Sequence, residues 1–271
     1  MYEKNKYDPY EDSSKICAYT DKGLIKYERE IYSKFLNSND TVLDVGCFVG
    51  RVSFSISNQV KQVVGIDVSR IGIEFATRVK HDLQLHNCNF LNVSATEIPF
   101  RDEYFTKVIV PYNGLEDILT KFDRMKAIKE FNRVLKTSGL LIFSVHNRFY
   151  YRYIPFMSLF NLLRISLRFP CIQSGFLLKK LKGDDFLKIL HKSEFNSLIW
   201  REPGSILYLS HYFYSISILK DELEENNFKI IHIFPIEQGS PHSENGLKGD
   251  IIREKSNFLL VPGYYIIAKK L

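Results

Sequence analysis

The chain has few cysteines and no long apolar segment. Its four cysteines lie far apart in 271 residues and form no Cys-x-x-Cys pair: Cys17, Cys47, Cys88 and Cys171. This spacing suits free thiols in a reducing cytoplasm better than a disulfide framework or a zinc site. The longest apolar stretch is interrupted by Arg164 and Arg168. We therefore expect no transmembrane segment and a cytoplasmic location.

Several motifs that would indicate other functions are also absent. No Gly-x-Ser-x-Gly nucleophile elbow occurs, so hydrolase chemistry has no support. His81 and His86 lie five residues apart without an acidic cluster, so no metal site is expected. The first fifteen residues are polar and lack the apolar core of a secretory signal.

Positive charge is concentrated in one segment. The formal net charge is +6, and residues 148–192 contain nine Lys or Arg against two Asp. Such a segment fits an acidic substrate, RNA or a membrane surface, and it also fits a solvated helix face.

The first half of the chain alternates strand-like and helix-like patterns. Helical spacing of apolar residues predicts a helix over residues 23–37. Short apolar runs predict five strands, over residues 41–45, 62–66, 89–93, 107–110 and 140–145, with helices between the later ones. The helix before the fifth strand is predicted to end near Gly139, with that glycine as a left-handed cap. Regular alternation of this kind predicts a parallel sheet covered by helices on both faces.

The pattern changes after residue 147. Residues 149–169 are aromatic, basic and apolar almost all round, and they predict an inserted helical cap over residues 148–210 that binds the substrate. A helix and two further strands follow, with no helix between these strands, so they should pair antiparallel. We therefore expect three parts: a core over 1–147, the cap over 148–210, and the rest of the core sheet over 211–271.

The loop after the first strand carries the strongest chemical signal. Residues 43–53 read LDVGCFVGRVS, in which Gly46 and Gly50 let the main chain turn tightly and approach a ligand. The glycines are spaced GxxxG, so the GxGxxG fingerprint of dinucleotide sites is absent. Asp67 ends the second strand, where a carboxylate can accept hydrogen bonds from both ribose hydroxyls. The combination predicts a nucleoside ligand.

Five motifs occur in order: LDVGCFVG, GIDVS, ATEIPF, VIVPYN and LKTSGLLIFS. Together they resemble the class I S-adenosylmethionine-dependent methyltransferases, specifically the small-molecule type 11 branch. The resemblance covers residues 19–147 and resumes over 212–270. It implies a Rossmann-like, doubly wound, seven-stranded and mainly parallel sheet with an antiparallel last strand, and S-adenosyl-L-methionine as the cofactor.

The resemblance also implies a cofactor site. Asp44 would orient the methionine amino group, and Asp67 would hold the ribose. The other matching positions shape the methionine loop, pack on adenine or close over the sulfonium: Gly46, Cys47, Phe48, Gly50, Val68, Ala95, Thr96, Pro111 and Tyr112. Phe48 replaces the usual middle glycine, and Ser94 stands where this branch commonly has an aspartate.

The reaction implied is methyl transfer to an O or N atom of a small or medium-sized acceptor. His146, after the fifth strand, and His211 are candidate general bases, and each is equally well interpreted as a structural histidine. One alternative is a tRNA-modifying methyltransferase that docks RNA on residues 148–192. Others are a non-catalytic binding protein whose site Phe48 blocks, and peripheral membrane contact through residues 149–169.

Overall fold

The computed structural model describes residues 23–118, 120–147, 197–201, 208–212, 214–236 and 263–271. Its α-helices are α1 (Lys26–Phe35), α2 (Arg51–Ile56), α3 (Arg70–Asp82), α4 (Lys121–Val134) and α5 (Ile216–Glu224). Its strands are β1 (Thr41–Val45), β2 (Gln62–Asp67), β3 (Cys88–Asn92), β4 (Phe105–Val110), β5 (Leu135–His146), β6 (Ser197–Arg201), β7 (Tyr208–Tyr212), β8 (Phe228–Ile236) and β9 (Gly263–Lys270). Two short 3₁₀ helices span Ser57–Gln59 and Gly114–Asp117.

Seven strands form one sheet in the order β3-β2-β1-β4-β5-β9-β8. The first five strands pair in parallel, and β9 runs antiparallel to both β5 and β8. The predicted seven-stranded, mainly parallel sheet with an antiparallel last strand is confirmed.

The strands are buried on both faces, as expected for a parallel sheet between helices. In β1, Leu43 and Val45 join one hydrophobic cluster, while Val42 joins the cluster on the opposite face with α1 residues such as Ile31. Because side chains alternate along a strand, this short apolar run serves both layers. Because β1, β2, β4 and β5 run parallel in the sheet, their carboxyl ends lie at the same edge.

The predicted end of the helix before β5 is wrong. α4 ends at Val134, and the next residue, Leu135, already pairs with Phe105 of β4. The left-handed residue is Ser138, with φ of 64°, rather than Gly139. An added Cβ on Gly139 would lie 2.8 Å from the carbonyl oxygen of Lys136. That glycine therefore permits close packing within an irregular strand start and does not cap a helix.

The described part of the predicted helical cap contains strand instead of helix. Strand β6 lies within residues 148–210 and pairs antiparallel with β7 in a separate two-stranded sheet. The remaining residues of 148–210, including its aromatic run, lie outside the described residues. Strand β7 lies beside the 3₁₀ helix Gly114–Asp117, and Asn147 forms a bridge with Tyr214. The chain therefore returns to the core next to the point where it left. Among the described helices, none is long and apolar enough to cross a membrane.

Candidate functional site

The loop after β1 leaves its main chain open to a ligand at Gly46. The N–H groups of Gly46 and Cys47 both donate to the carbonyl of Ile66, at 2.9 and 3.1 Å. Gly46 and Gly50 have φ of 72° and 82°, which favours glycine at both positions. A Cβ added to Gly46 would meet no atom within 4 Å. A ligand can therefore approach the backbone closely there.

Phe48 lies beside α3. Its φ is 45°, a left-handed conformation that explains why a glycine suits this position. Its side chain is nevertheless buried, because the ring packs against Gly72 of α3. The ring is thus held by the helix that follows β2.

Cys47 is also buried, and its sulfur lies next to the backbone of Gly65. Burial raises the pKa of this thiol. A thiol in this state packs the loop and is a poor nucleophile.

Asp67 ties the loop to the end of β2. Its Oδ2 accepts the N–H of Phe48 at 2.8 Å, and its Oδ1 accepts the N–H of Ser69 at 2.7 Å. Each oxygen of this carboxylate thus accepts a main-chain N–H, and a carboxylate has about four acceptor sites in all. The next residue, Val68, is 61% exposed. An exposed apolar side chain beside this carboxylate offers a packing surface to a flat ring.

Asp44 is a buried acid with an unused acceptor. The hydroxyl of Ser53 donates to its Oδ2 at 2.6 Å, while its Oδ1 has no hydrogen-bond partner among the described residues. Burial raises the pKa of Asp44 to about 7. The hydroxyl of Tyr32 on α1 is likewise buried without a partner in the described part of the chain, and it interacts electrostatically with Asp44. Buried polar atoms of this kind call for a ligand donor or water.

An ion pair that the sequence did not predict supports this edge. Arg51, the first residue of α2, holds Glu28 of α1 through two contacts of 2.6 and 2.7 Å. The two side chains are only 7% and 0% exposed. The guanidinium also lies 5.6 Å from the ring centroid of Tyr112, so the pair connects the loop after β1 with the loop after β4.

The loop after β3 contains the positions that the sequence predicts at the edge of the adenine. The hydroxyls of Ser94 and Thr96 lie 2.9 Å apart, and the N–H of Thr96 donates to Ser94 Oγ at 3.2 Å. Ala95 is partly buried against the core. The two hydroxyls thus stabilise the loop. Ser94, at the position where an aspartate is common, binds the hydroxyl and the N–H of Thr96.

The loop after β4 contains two consecutive left-handed residues. Tyr112 and Asn113 have φ of 53° and 62°. Pro111 before them is buried, while Tyr112 is 51% exposed. Non-glycine residues in this conformation store strain and cluster at functional sites. The N–H of Asn113 donates to Ser144 Oγ at 2.9 Å, which holds the loop against β5.

His146 ends β5 and contacts a carboxylate that the sequence interpretation missed. Glu116 Oε2 lies 2.5 Å from His146 Nδ1, and Glu116 Oε1 accepts the His146 backbone N–H at 2.7 Å. Motif reading missed Glu116 because it lies thirty residues from its partner, on a 3₁₀ helix. His211, the other candidate base, lies in β7, next to that 3₁₀ helix.

No group of three or more His, Cys, Asp or Glu suited to a metal ion occurs in the part of the chain that the structure describes. The basic segment 148–192 and the aromatic residues 149–169 lie outside the described residues.

Comparison with known proteins finds relatives of this chain. Residues 42–139 match the family model described as "Methyltransferase domain". An uncharacterised protein of Methanocaldococcus jannaschii is 27% identical over 216 residues, which are 80% of this chain and 72% of that protein. The demethylmenaquinone methyltransferase of Oceanobacillus iheyensis is 30% identical over 144 residues, which are 51% of this chain and 58% of the relative.

Solved structures support the fold. A crystal structure of a SAM-dependent methyltransferase from Methanosarcina mazei superposes with a TM-score of 0.60 at 20% identity, covering 89% of this chain and 97% of that one. The match to the methyltransferase family model confirms the predicted resemblance, and the solved structure confirms the predicted fold.

Proposed function

We propose that this chain, whose residues 42–139 are a methyltransferase domain of the S-adenosylmethionine-dependent class, transfers a methyl group to an O or N atom of a small or medium-sized acceptor. The observation that supports this most directly is the buried Oδ1 of Asp44, which has no hydrogen-bond partner among the described residues, two positions before the open backbone of Gly46. The carboxylate can accept a hydrogen bond from a cationic amino group, and the open main chain at Gly46 leaves room for the ligand that carries this group. A cytoplasmic location is part of the same proposal.

The residues present fit S-adenosylmethionine along its length. Asp44 would accept from the amino group, and Asp67 would accept from the ribose hydroxyls. The exposed Val68 would pack on the adenine, with Ala95 and Thr96 at its edge. Bound there, the cofactor would supply an electrophilic methyl group on a sulfonium.

The chain itself would position the two reacting groups and exclude water from them. Holding two reacting groups in line can lower a barrier by up to roughly 7 to 11 kcal/mol. The loop of Pro111 and Tyr112 would cover the reacting end, and an aromatic face there favours a positive sulfur. Because the loop after β4 is strained and anchored to Ser144, it is suited to hold this geometry.

Proton removal would fall to a histidine. His146 lies at the carboxyl end of β5, where acceptors bind in open α/β sheets. His211 lies in β7, beside the 3₁₀ helix Gly114–Asp117. A base helps most when the acceptor must lose a proton to react, as a hydroxyl does.

Labelled cofactor tests this function. The full chain is incubated with methyl-labelled S-adenosylmethionine and, separately, with a small-metabolite extract and with total tRNA. Label in a small molecule, with one methyl added to its mass, supports the proposal. Label in tRNA alone would replace it by the RNA-modifying alternative, whose binding should weaken steeply with salt.

A further inference from the structure

Glu116 directs both of its carboxylate oxygens to His146. It is fully buried, and its two oxygens bind the backbone N–H and the ring Nδ1 of His146, at 2.7 and 2.5 Å. Because Glu116 binds both the main chain and the ring of His146, it holds the imidazole in one orientation.

This contact also fixes the tautomer of the ring. An ionised carboxylate only accepts hydrogen bonds, so the hydrogen atom between Nδ1 and Glu116 must be bonded to Nδ1. Nε2 then presents its lone pair, and the side-chain amide of Asn113 lies 3.2 Å from it. On β9, the residue paired with His146 is Gly263, which has no side chain to cover the ring.

The histidine can be reached from outside. Its side chain is 26% exposed, whereas that of Glu116 is buried. The amide next to Nε2 belongs to Asn113 in the strained loop after β4. The residue before Asn113 is Tyr112, whose ring contacts Arg51 at the start of α2. A chain of contacts therefore joins the ring to the start of α2, directly after the loop that contains Gly46.

We propose that Glu116 is a positioning residue that fixes His146 in the Nδ1–H tautomer, so that Nε2 accepts the proton of a hydroxyl acceptor. The acceptor's O–H displaces the amide of Asn113 from Nε2. This inference rests on the proposed function and narrows it to O-methylation, because a neutral amine attacks with its own lone pair and needs no such base.

The step balances in atoms and electrons. The O–H bond breaks as its proton moves to Nε2, and the oxygen's electron pair forms the new bond to the methyl carbon. The carbon–sulfur bond breaks with its electron pair remaining on sulfur, which becomes a neutral thioether. The imidazolium, stabilised by Glu116, then returns its proton to water.

The tautomer can be tested without any substrate. The full chain is labelled with ¹⁵N-histidine, and the His146 ring signals are identified by their loss in His146→Gln. In the neutral ring, the proton should be on Nδ1. The variant Glu116→Gln keeps an oxygen for the backbone N–H but presents an NH₂ to Nδ1, and it should move the proton to Nε2. A wild-type ring protonated on Nε2 would overturn the proposal.

Activity separates positioning from a structural role. With the acceptor fraction that the wild type labels, Glu116→Gln should lower kcat by about 10²- to 10⁴-fold and leave cofactor affinity within about threefold. Glu130→Gln, which removes a carboxylate that binds Arg133, is the control and should keep its rate. Unchanged kcat in Glu116→Gln, or a product methylated on nitrogen, overturns this inference alone. Absence of cofactor binding to the wild type would instead overturn the proposed function.

Discussion

The ring of Phe48 occupies the space that a side chain on Gly72 would need. An ideal Cβ on Gly72 would lie 2.6 Å from Cδ2 of Phe48 and 3.1 Å from its backbone carbonyl carbon. The loop after β1 and the first turn of α3 are therefore packed against each other, with Asp67 bonded to the loop from the intervening strand end.

This packing predicts a coupled pair of substitutions. Gly72→Ala should destabilise the protein by about 1 to 3 kcal/mol, since overpacking forces the ring or the loop to move. Phe48→Ala should cost about 3 to 5 kcal/mol through the lost burial. In the Phe48→Ala background the ring is gone, so Gly72→Ala should cost much less. Urea unfolding of the four proteins measures the coupling, and an equal cost of Gly72→Ala in both backgrounds would contradict the contact.

A second prediction concerns whether Phe48 blocks the site. Phe48→Gly relieves a left-handed backbone but removes a buried ring, so we expect lower stability. Affinity for S-adenosylmethionine should stay within a few-fold, because the ring points to α3. A sharp rise in affinity, measured by calorimetry on the variant and the wild type, would instead identify the ring as a plug.

The site was predictable where its residues are local in sequence. Gly46, Asp44 and Asp67 belong to short motifs at strand ends, and the alternation of apolar runs places those ends on one edge. Glu116, Gly72 and the ion pair of Arg51 with Glu28 were not predicted, because periodicity shows that a residue is buried and does not show what it contacts. Gly139 was misinterpreted for a related reason, since pairing with β4 ends α4 earlier than local propensity suggests.

The buried ion pair predicts an asymmetric cost. Arg51→Met leaves Glu28 as an uncompensated buried charge, which should destabilise the protein by about 3 to 5 kcal/mol. The matched control is Arg70→Met, whose partner Glu74 is exposed like Arg70 itself, and this should cost less than about 1 kcal/mol. Thermal unfolding compares them, and similar losses in both variants would refute the role assigned to Arg51.

Asp44 predicts a pH dependence of folding. Burial raises its pKa from 3.8 to about 7, so the folded chain keeps a proton that the unfolded chain releases. The stability of the wild type relative to Asp44→Asn should therefore fall as pH rises from about 4 to about 7, and then level off. Each unit of pKa shift corresponds to about 1.4 kcal/mol. Urea unfolding of both proteins at several pH values gives this difference, which would be constant with pH if Asp44 titrated normally.

We propose that S-adenosylmethionine binds at the edge of the sheet between Asp44 and Asp67. Isothermal titration of the full chain with this cofactor tests it most directly, with Asp67→Ala as the variant. We predict saturable binding to one site per chain, weakened by about tenfold or more when the ribose carboxylate is removed. No detectable binding to the wild type at millimolar cofactor, or equal affinity in Asp67→Ala, would contradict the account.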